Sequence, residues 1–205
     1  MTKLKDEPTA TTASPWKSKD TIEDNPVGLP KETAAEIAPH LDQHVASFYV
    51  LFHQYQKHHW LVEGPQFRDL HHFLEKSYFA VQKAADAIAE RMTAIGAIPT
   101  SAPAAQAELA YVQHEPEGLF RIRDMLTADR RIEGAIAERL RLTIPVCTQR
   151  SDFATETLLK KQLLKVEDRA HELDHFLGHD TLSMWGDDDA DGQDRGVAGA
   201  VVAGS

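Results

Sequence analysis

Apolar side chains along this chain recur at intervals of three and four residues, which is the spacing of one face of an α-helix. The pattern covers four long segments, at about residues 33–63, 65–95, 119–147 and 151–177. In the last and most regular segment, the apolar positions are Leu159, Leu163, Val166, Ala170, Leu173 and Leu177. Four long amphipathic helices with short connections predict an all-α four-helix bundle.

Residues that start or stop helices give the predicted bounds of the first two helices. Thr33 and Glu36 have the spacing of a capping box, which predicts the start of the first helix. Pro39 should kink that helix or move its start, and Gly64 with Pro65 should end it. The second helix should then run from residue 65 or 66 to 95, followed by a glycine stop.

The second half of the chain contains one additional predicted element. Residues 97–105 form a connection, and a short helix is expected near 104–111 before the third long helix. Pro145 should bend or end the third helix, Ser151 should cap the fourth, and Gly178 should end it. The predicted buried positions of the third helix are Leu119, Ile122, Leu126, Ile136 and Leu140.

Both ends of the chain lack helical periodicity. Residues 1–32 are rich in Thr, Ser, Pro and charge, and residues 183–205 are acidic and then rich in Gly and Ala. These compositions predict a flexible or loosely docked arm, one domain over residues 33–182, and a flexible tail. Over residues 1–24 the arm has four Lys against five Asp or Glu, which leaves a charge of −1. This balance does not favour DNA binding, which depends on uncompensated basic residues.

Composition narrows the class of protein further. The formal net charge of −10 should repel nucleic acid and anionic lipid and attract cations. The single cysteine, Cys147, excludes an intrachain disulfide and is compatible with a reducing cytosol. No apolar run approaches the ~20 residues that span a bilayer. We therefore expect a cytoplasmic protein without membrane contact, with a nucleoid-associated location only if DNA is bound.

A set of metal-ligand residues occurs between positions 59 and 90. His59 continues the apolar stripe of the first helix, at the spacing of a core residue. The second helix carries His71 with Glu75 and, further along, Asp86 with Glu90, each pair four residues apart. Taken alone, a core histidine or a solvated acidic face explains such residues. Together, imidazoles and carboxylates suit a divalent transition metal such as iron.

The spacing of these residues on one helix conflicts with a single-chain site. A helix rises about 1.5 Å per residue, so His71 and Asp86 lie roughly 22 Å apart in one chain. Metal–ligand bonds are only about 2 Å long. A second copy of the helix, antiparallel across a two-fold axis near Phe79, would bring position 71 of one chain to positions 86 and 90 of the other. The sequence therefore predicts a metal site between subunits.

The same residues carry a family resemblance. The motif KHHW at 57–60, a histidine twelve residues after His59, an Asp fifteen later and a Glu four beyond resemble the Dps family of mini-ferritins. The resemblance covers about residues 33–182. It implies a ferritin-like bundle assembled into a hollow homo-oligomeric shell, expected to be a dodecamer. It also implies an intersubunit ferroxidase centre with the ligands His59, His71, Asp86 and Glu90, together with Glu75 as a frequent acidic ligand.

The resemblance further implies an activity, which is storage and detoxification of iron. Two Fe(II) ions at each centre would be oxidised, preferentially by hydrogen peroxide, and ferric mineral would collect in the cavity and protect DNA. Zinc, which favours the same ligands, is a candidate inhibitor or substitute. Two other functions stay open at this point: a nucleoid-condensing structural protein and a metal-sequestering bundle without turnover.

The remaining candidates are weaker. The motif Glu172-x-x-His175, with Asp69-x-x-His72 as a degenerate partner, resembles the element of di-iron bundles that hold metal inside one chain, but it faces away from the apolar stripe. Glu167 and His171 fit a surface pair better than an accessory metal site. We expect surface positions for the other histidines (His53, His58, His72 and His175), packing of Trp60 against the turn, and Asp129 as a candidate pore residue.

Overall fold

A computed structural model describes residues 13–178 and folds them into five α-helices. They are α1 (Lys31–Leu61), α2 (Phe67–Ala94), α3 (Pro103–Leu109), α4 (Ile122–Gln149) and α5 (Phe153–Phe176). Helix α1 packs along α2, α4 packs along α5, and the short α3 rests on α1. No strand occurs among residues 13–178. The predicted all-α bundle, with an extra short helix between its second and third long helices, is confirmed.

The predicted apolar faces form the core of the bundle, with one exception. The fully buried members are Leu41, Val45, Phe48 and Tyr55 of α1, Leu126, Ile136 and Leu140 of α4, and Leu159, Val166 and Leu173 of α5. The prediction of Leu119 as a core residue is wrong, because its side chain is 61% exposed. Helix α4 begins only at Ile122, so Leu119 lies in the preceding irregular segment, where helical periodicity does not apply.

Two prolines, each expected either to distort its helix or to set one of its ends, lie inside helices. Pro39 is within α1 and Pro145 is within α4, which continues to Gln149. A proline ring removes the hydrogen bond to the carbonyl four residues earlier. Both prolines are exposed, and so are Ala35 and Arg141, the residues four positions before them. The freed carbonyls therefore face the solvent side of each helix, and apolar packing on the opposite face keeps the helices continuous.

The predicted caps of α1 and α5 are wrong. Helix α1 begins at Lys31 after Pro30 and has no side-chain cap, so Thr33 already lies in its first turn. Helix α5 is capped by Asp152 and not by Ser151, since the Asp152 carboxylate accepts from the Thr155 N–H at 3.1 Å. Ser151 instead adopts a left-handed conformation, φ 58°, in the tight connection.

The described part of the arm is attached to the bundle. The Glu23 N–H donates to the Gly96 carbonyl at 3.0 Å. The Lys19 ammonium donates at 2.7 Å to both the Asp42 carboxylate and the Ile98 carbonyl. Lys17 pairs with Glu23 within the arm. The arm is therefore docked through specific contacts from residue 19 onward, and Lys17 and Lys19 are both paired with carboxylates.

The first twelve residues of the predicted arm and the predicted tail, residues 183–205, lie outside the described residues. The same holds for Lys3 and Lys5. Within residues 13–178, no helix has the length and apolar character needed to cross a membrane.

Candidate metal centre

The turn between α1 and α2 brings His59 and His71 together. Helix α1 ends at Leu61, and Gly64 adopts φ +91°, a conformation that glycine allows without strain. Helix α2 then starts at Phe67 and runs back along α1. The two imidazole rings stack with centroids 3.8 Å apart and planes inclined by 27°. Both rings are half-buried, so they are held in place and still reachable from solvent.

Reciprocal hydrogen bonds fix the orientation of both rings. Nδ1 of His59 lies 3.0 Å from the His71 carbonyl oxygen, and Nδ1 of His71 lies 3.0 Å from the His59 carbonyl oxygen. A carbonyl oxygen only accepts, so each Nδ1 carries the proton and donates. In the neutral rings, each Nε2 then has a free lone pair. This is the arrangement of a metal-binding histidine whose second nitrogen is held by an outer hydrogen bond.

Aromatic rings surround the histidine pair. The Tyr78 ring lies 5.4 Å from His59, edge to face, and the Phe67 ring lies 4.8 Å from His71. Their apolar faces lower the local polarity around the imidazoles. Trp60 does not take part in such packing, since it is 67% exposed, and the expectation that it packs against the turn is wrong.

The acidic members of the predicted set lie further along α2. Glu75 is half-buried one turn after His71, whereas Asp86 and Glu90 are exposed. Helix α2 is continuous from Phe67 to Ala94, so the roughly 22 Å between positions 71 and 86 holds. Among residues 13–178, no three His, Cys, Asp or Glu side chains are grouped around a point that could hold a metal. One chain brings the two histidines together and keeps Asp86 and Glu90 away from them.

Comparisons with known proteins agree with this architecture. The family model of the ferritin-like domain matches residues 39–183. A nutrient stress-induced DNA-binding protein of Synechococcus sp. is 39% identical over 163 residues, 80% of this chain and 93% of that protein. The crystal structure of an archaeal Dps homologue from Halobacterium salinarum superposes with a TM-score of 0.81 and 34% identity, and covers 86% of this chain and 98% of that one.

The chain belongs to the Dps family of ferritin-like proteins. A second curated relative, the DNA protection during starvation protein of Halobacterium salinarum, is 38% identical over 155 residues, 76% of this chain and 85% of that protein. The predicted family and the predicted fold class are thus confirmed.

His58 of this Dps chain is not a surface histidine, as the sequence had suggested. Its side chain is fully buried, with Nδ1 2.7 Å from the Asp129 carboxylate and Nε2 2.8 Å from Glu115. The Nε2 contact is close but poorly aligned for a hydrogen bond, so we read it as an ion pair. Burial alone would lower the pKa of His58, but the hydrogen bond to Asp129 and the negative charges of Asp129 and Glu115 outweigh it and raise the pKa.

Asp129 is also fully buried, so the expectation that it lines a pore is wrong. Burial raises its pKa, although His58 and then Gln54, which donates to it at 2.8 Å, act in the opposite direction. One turn later on α4, Glu133 accepts from Tyr55 at 2.8 Å and is paired with Arg169 of α5. The bundle interior is therefore occupied by paired charges.

The two motifs that resemble the element of di-iron bundles lie at the surface of this Dps chain. Glu172 and His175 are exposed, as expected from their positions away from the apolar stripe, and so are Asp69 and His72. They are outside the bundle interior where a di-iron site of one chain would lie. The pairing of Glu167 with His171 is wrong, because Glu167 forms an ion pair with Arg141 of α4 at 2.5 Å. The exposed position predicted for His53 is confirmed.

Proposed function

We propose that this Dps protein oxidises Fe(II) at sites formed by two chains, with hydrogen peroxide as the preferred oxidant. The observation that carries this proposal is the stacked pair His59 and His71, whose Nδ1 atoms are both committed to backbone carbonyls. With Nδ1 of each ring committed to a carbonyl, Nε2 would be the atom of each imidazole that binds a metal.

A neighbouring chain would supply the carboxylates. Asp86 and Glu90 are exposed on α2 and available to a second molecule. Phe79, at the midpoint between positions 71 and 86, is 48% exposed, and Phe67 is 45% exposed. Exposed aromatic residues are enriched where proteins associate. Antiparallel packing of two α2 helices around Phe79 would bury these rings and place Asp86 and Glu90 of each chain beside the histidines of the other.

The donor set suits the proposed reaction. Imidazole and carboxylate ligands bind Fe(II) and tolerate Fe(III), and Glu75, one turn after His71, would add a carboxylate on the histidine side. Peroxide accepts two electrons, so two Fe(II) with one H₂O₂ and two protons give two Fe(III) and two water molecules. Taking both electrons at one site leaves no hydroxyl radical. A site that is open between chains allows the ferric product to leave for hydrolysis and storage.

Storage follows from assembly in this proposal. A hollow shell, expected to be a dodecamer, would collect ferric mineral, and the net charge of −10 would draw Fe(II) towards it. The chain would protect DNA chemically, by removing Fe(II) and peroxide from the cytoplasm. Direct DNA condensation has less support in this chain. The relatives are named for DNA binding or protection, but Lys17 and Lys19 are already paired with carboxylates.

The test is growth of ferric absorbance when Fe(II) and peroxide are added anaerobically to the metal-free protein. His59→Ala or Asp86→Ala should each slow the initial rate by at least about tenfold, because each removes a metal ligand. Loss of a residue that only hydrogen-bonds to a ligand already lowers activity by about that factor. His53→Ala and Asp168→Ala, which change exposed residues of the same types elsewhere, serve as controls. Unchanged rates in both site variants would reject the site. Fe(II) binding without oxidation would indicate sequestration only.

A further inference from the structure

A second group of metal-ligand residues lies across a cleft between α2 and α5, away from the His59–His71 pair. The cleft has a volume of about 480 Å³ and opens to solvent. Its base is formed by Phe73 and Phe176, whose rings are 5.2 Å apart. Its walls carry two acid–histidine pairs with the same three-residue spacing, Asp69 with His72 on α2 and Glu172 with His175 on α5.

Helix α5 carries two imidazoles one turn apart: His175 lines the cleft, and His171 lines the adjoining depression, which shares Lys76 and Glu172 with the cleft. His171 precedes His175 by one turn, and their ring centroids are 4.4 Å apart with planes inclined by 60°. Histidines at positions i and i+4 of a helix can ligate the same metal ion, as in helical zinc motifs. Two imidazoles on adjacent turns can therefore act together as a bidentate donor set, and Asp69 and His72 line the α2 side of the cleft that His175 lines.

The carboxylates of the cleft differ from the other acids of α5. Glu167 and Asp174 form ion pairs with arginines of α4. Within residues 13–178, Asp69 and Glu172 have neither an ion-pair nor a hydrogen-bond partner. Neither charge is held in an ion pair, and both lie next to an apolar base, where a cation gains more than at an open surface. Lys76 also lines the cleft and opposes a cation there.

We propose that this cleft binds one borderline divalent transition metal ion, through His171 and His175 of α5 with donors from Asp69, His72 or Glu172. Mixed imidazole and carboxylate ligands favour Zn²⁺, Ni²⁺ or Cu²⁺ over the hard ions Mg²⁺ and Ca²⁺. The donors do not yet surround one point. These side chains are exposed, and the proposed binding requires rotamer changes on one turn of each helix to gather them. The site is independent of the intersubunit iron site.

The test uses Zn²⁺ alone and calorimetric titration of the assembled protein. The background variant is His59→Ala/His71→Ala, so that the proposed iron site contributes no imidazole. We expect saturable binding of about one Zn²⁺ per chain. Adding His171→Ala/His175→Ala should weaken this binding at least about tenfold, since even loss of an outer partner of a ligand costs about that much. His53→Ala, which removes an exposed histidine of α1, should leave it unchanged.

Two further variants test the geometry across the cleft. Asp69→Asn/His72→Ala should weaken Zn²⁺ binding, because it removes the donors of α2, and Lys76→Ala should strengthen it by removing an opposing charge. All these positions are exposed, and the helical circular dichroism should be unchanged. Affinity unaffected by the α5 double variant, or lowered equally by His53→Ala, would reject the cleft as a site. Loss with the α5 variant but not with the α2 variant would reject the two-walled site.

Discussion

At the scale of single residues, the environment of His44 gives the chain a measurable acid sensitivity. Its ring is fully buried between the Tyr111 hydroxyl, 2.7 Å from Nδ1, and the Thr143 hydroxyl, 2.9 Å from Nε2. Burial, and then the charge on Arg139, lower the pKa of His44 from 6.5 to about 3. The folded chain therefore keeps this ring neutral over a range in which the unfolded chain protonates it.

The sign of the pH dependence follows from that difference. His44 contributes its full stability above pH 6.5, and the contribution is lost progressively as pH falls towards 3. Between pH 7 and pH 5, the loss should be about 2 kcal/mol. Urea unfolding at fixed protein concentration should show this loss in the wild type but not in His44→Gln, which cannot titrate.

The other histidines are present in both the wild type and His44→Gln, so their contributions to the pH dependence of stability cancel when the two are compared. His58 is an example, since its raised pKa stabilises the fold at low pH and ceases to do so as pH rises. His72→Gln, an exposed substitution on α2, is the control and should follow the wild type. Parallel pH profiles for the wild type and His44→Gln would show that His44 does not stay neutral on folding.

Residue environments could be predicted where the signal was local. The position of His59 followed from the stripe that it shares with Tyr55, and the separation of His71 from Asp86 followed from helix geometry. The burial of His58 could not be predicted in this way. Its partner Asp129 is 71 positions away in the sequence, and only the packing of α4 against α1 brings the two together. The position of His58 in the sequence predicted an exposed side chain, although in the fold it forms a buried ion pair with Asp129.

At the scale of elements, Gly96 joins the end of α2 to the arm. It adopts φ +88°, and a Cβ built on it would lie 2.4 Å from the Glu23 carbonyl oxygen. Gly96→Ala should therefore displace the arm as well as strain the backbone. Gly64→Ala is the matched control, because it has φ +91° and its Cβ would meet only Ile122 at 4.0 Å.

Both substitutions should lower the free energy of unfolding by about 1–2 kcal/mol through the left-handed backbone alone. Only Gly96→Ala should also release the arm, which limited trypsin digestion can detect as faster cleavage after Lys17 and Lys19. Equal cleavage rates in the two variants would mean that the contact between Glu23 and Gly96 does not hold the arm.

The elements themselves were predictable and their ends were less so. Periodicity located all four long helices, because each buries one continuous apolar face. Pro39 does not set the start of α1 and Pro145 does not end α4, because each lies on the exposed side of its helix, which the sequence alone does not show. Likewise, Ser151 and Asp152 are both good capping residues, and the choice was decided by Arg91, which donates to Asp152 at 2.7 Å.

At the scale of the whole molecule, the described chain contains only half of the proposed iron site. The stacked histidines are together, while Asp86 and Glu90 lie at the far end of α2, the continuous helix that carries His71. Assembly is then part of the chemistry, and activity should depend on which chains meet. This dependence can be measured by complementation between two inactive variants.

The first variant is His59→Ala/His71→Ala and the second is Asp86→Ala/Glu90→Ala. Each should be inactive alone, because every site lacks either its nitrogen or its carboxylate donors. After the two are mixed, dissociated and reassembled, a mixed two-fold dimer has one site with both damaged halves and one with both intact halves. Random pairing makes about half of the dimers mixed, so roughly a quarter of wild-type peroxide-driven iron oxidation should return. If each site lay within one chain, every site in the mixture would remain damaged. Reassembly should be verified by native mass spectrometry. If the reassembled mixture recovers no activity, the intersubunit site is excluded.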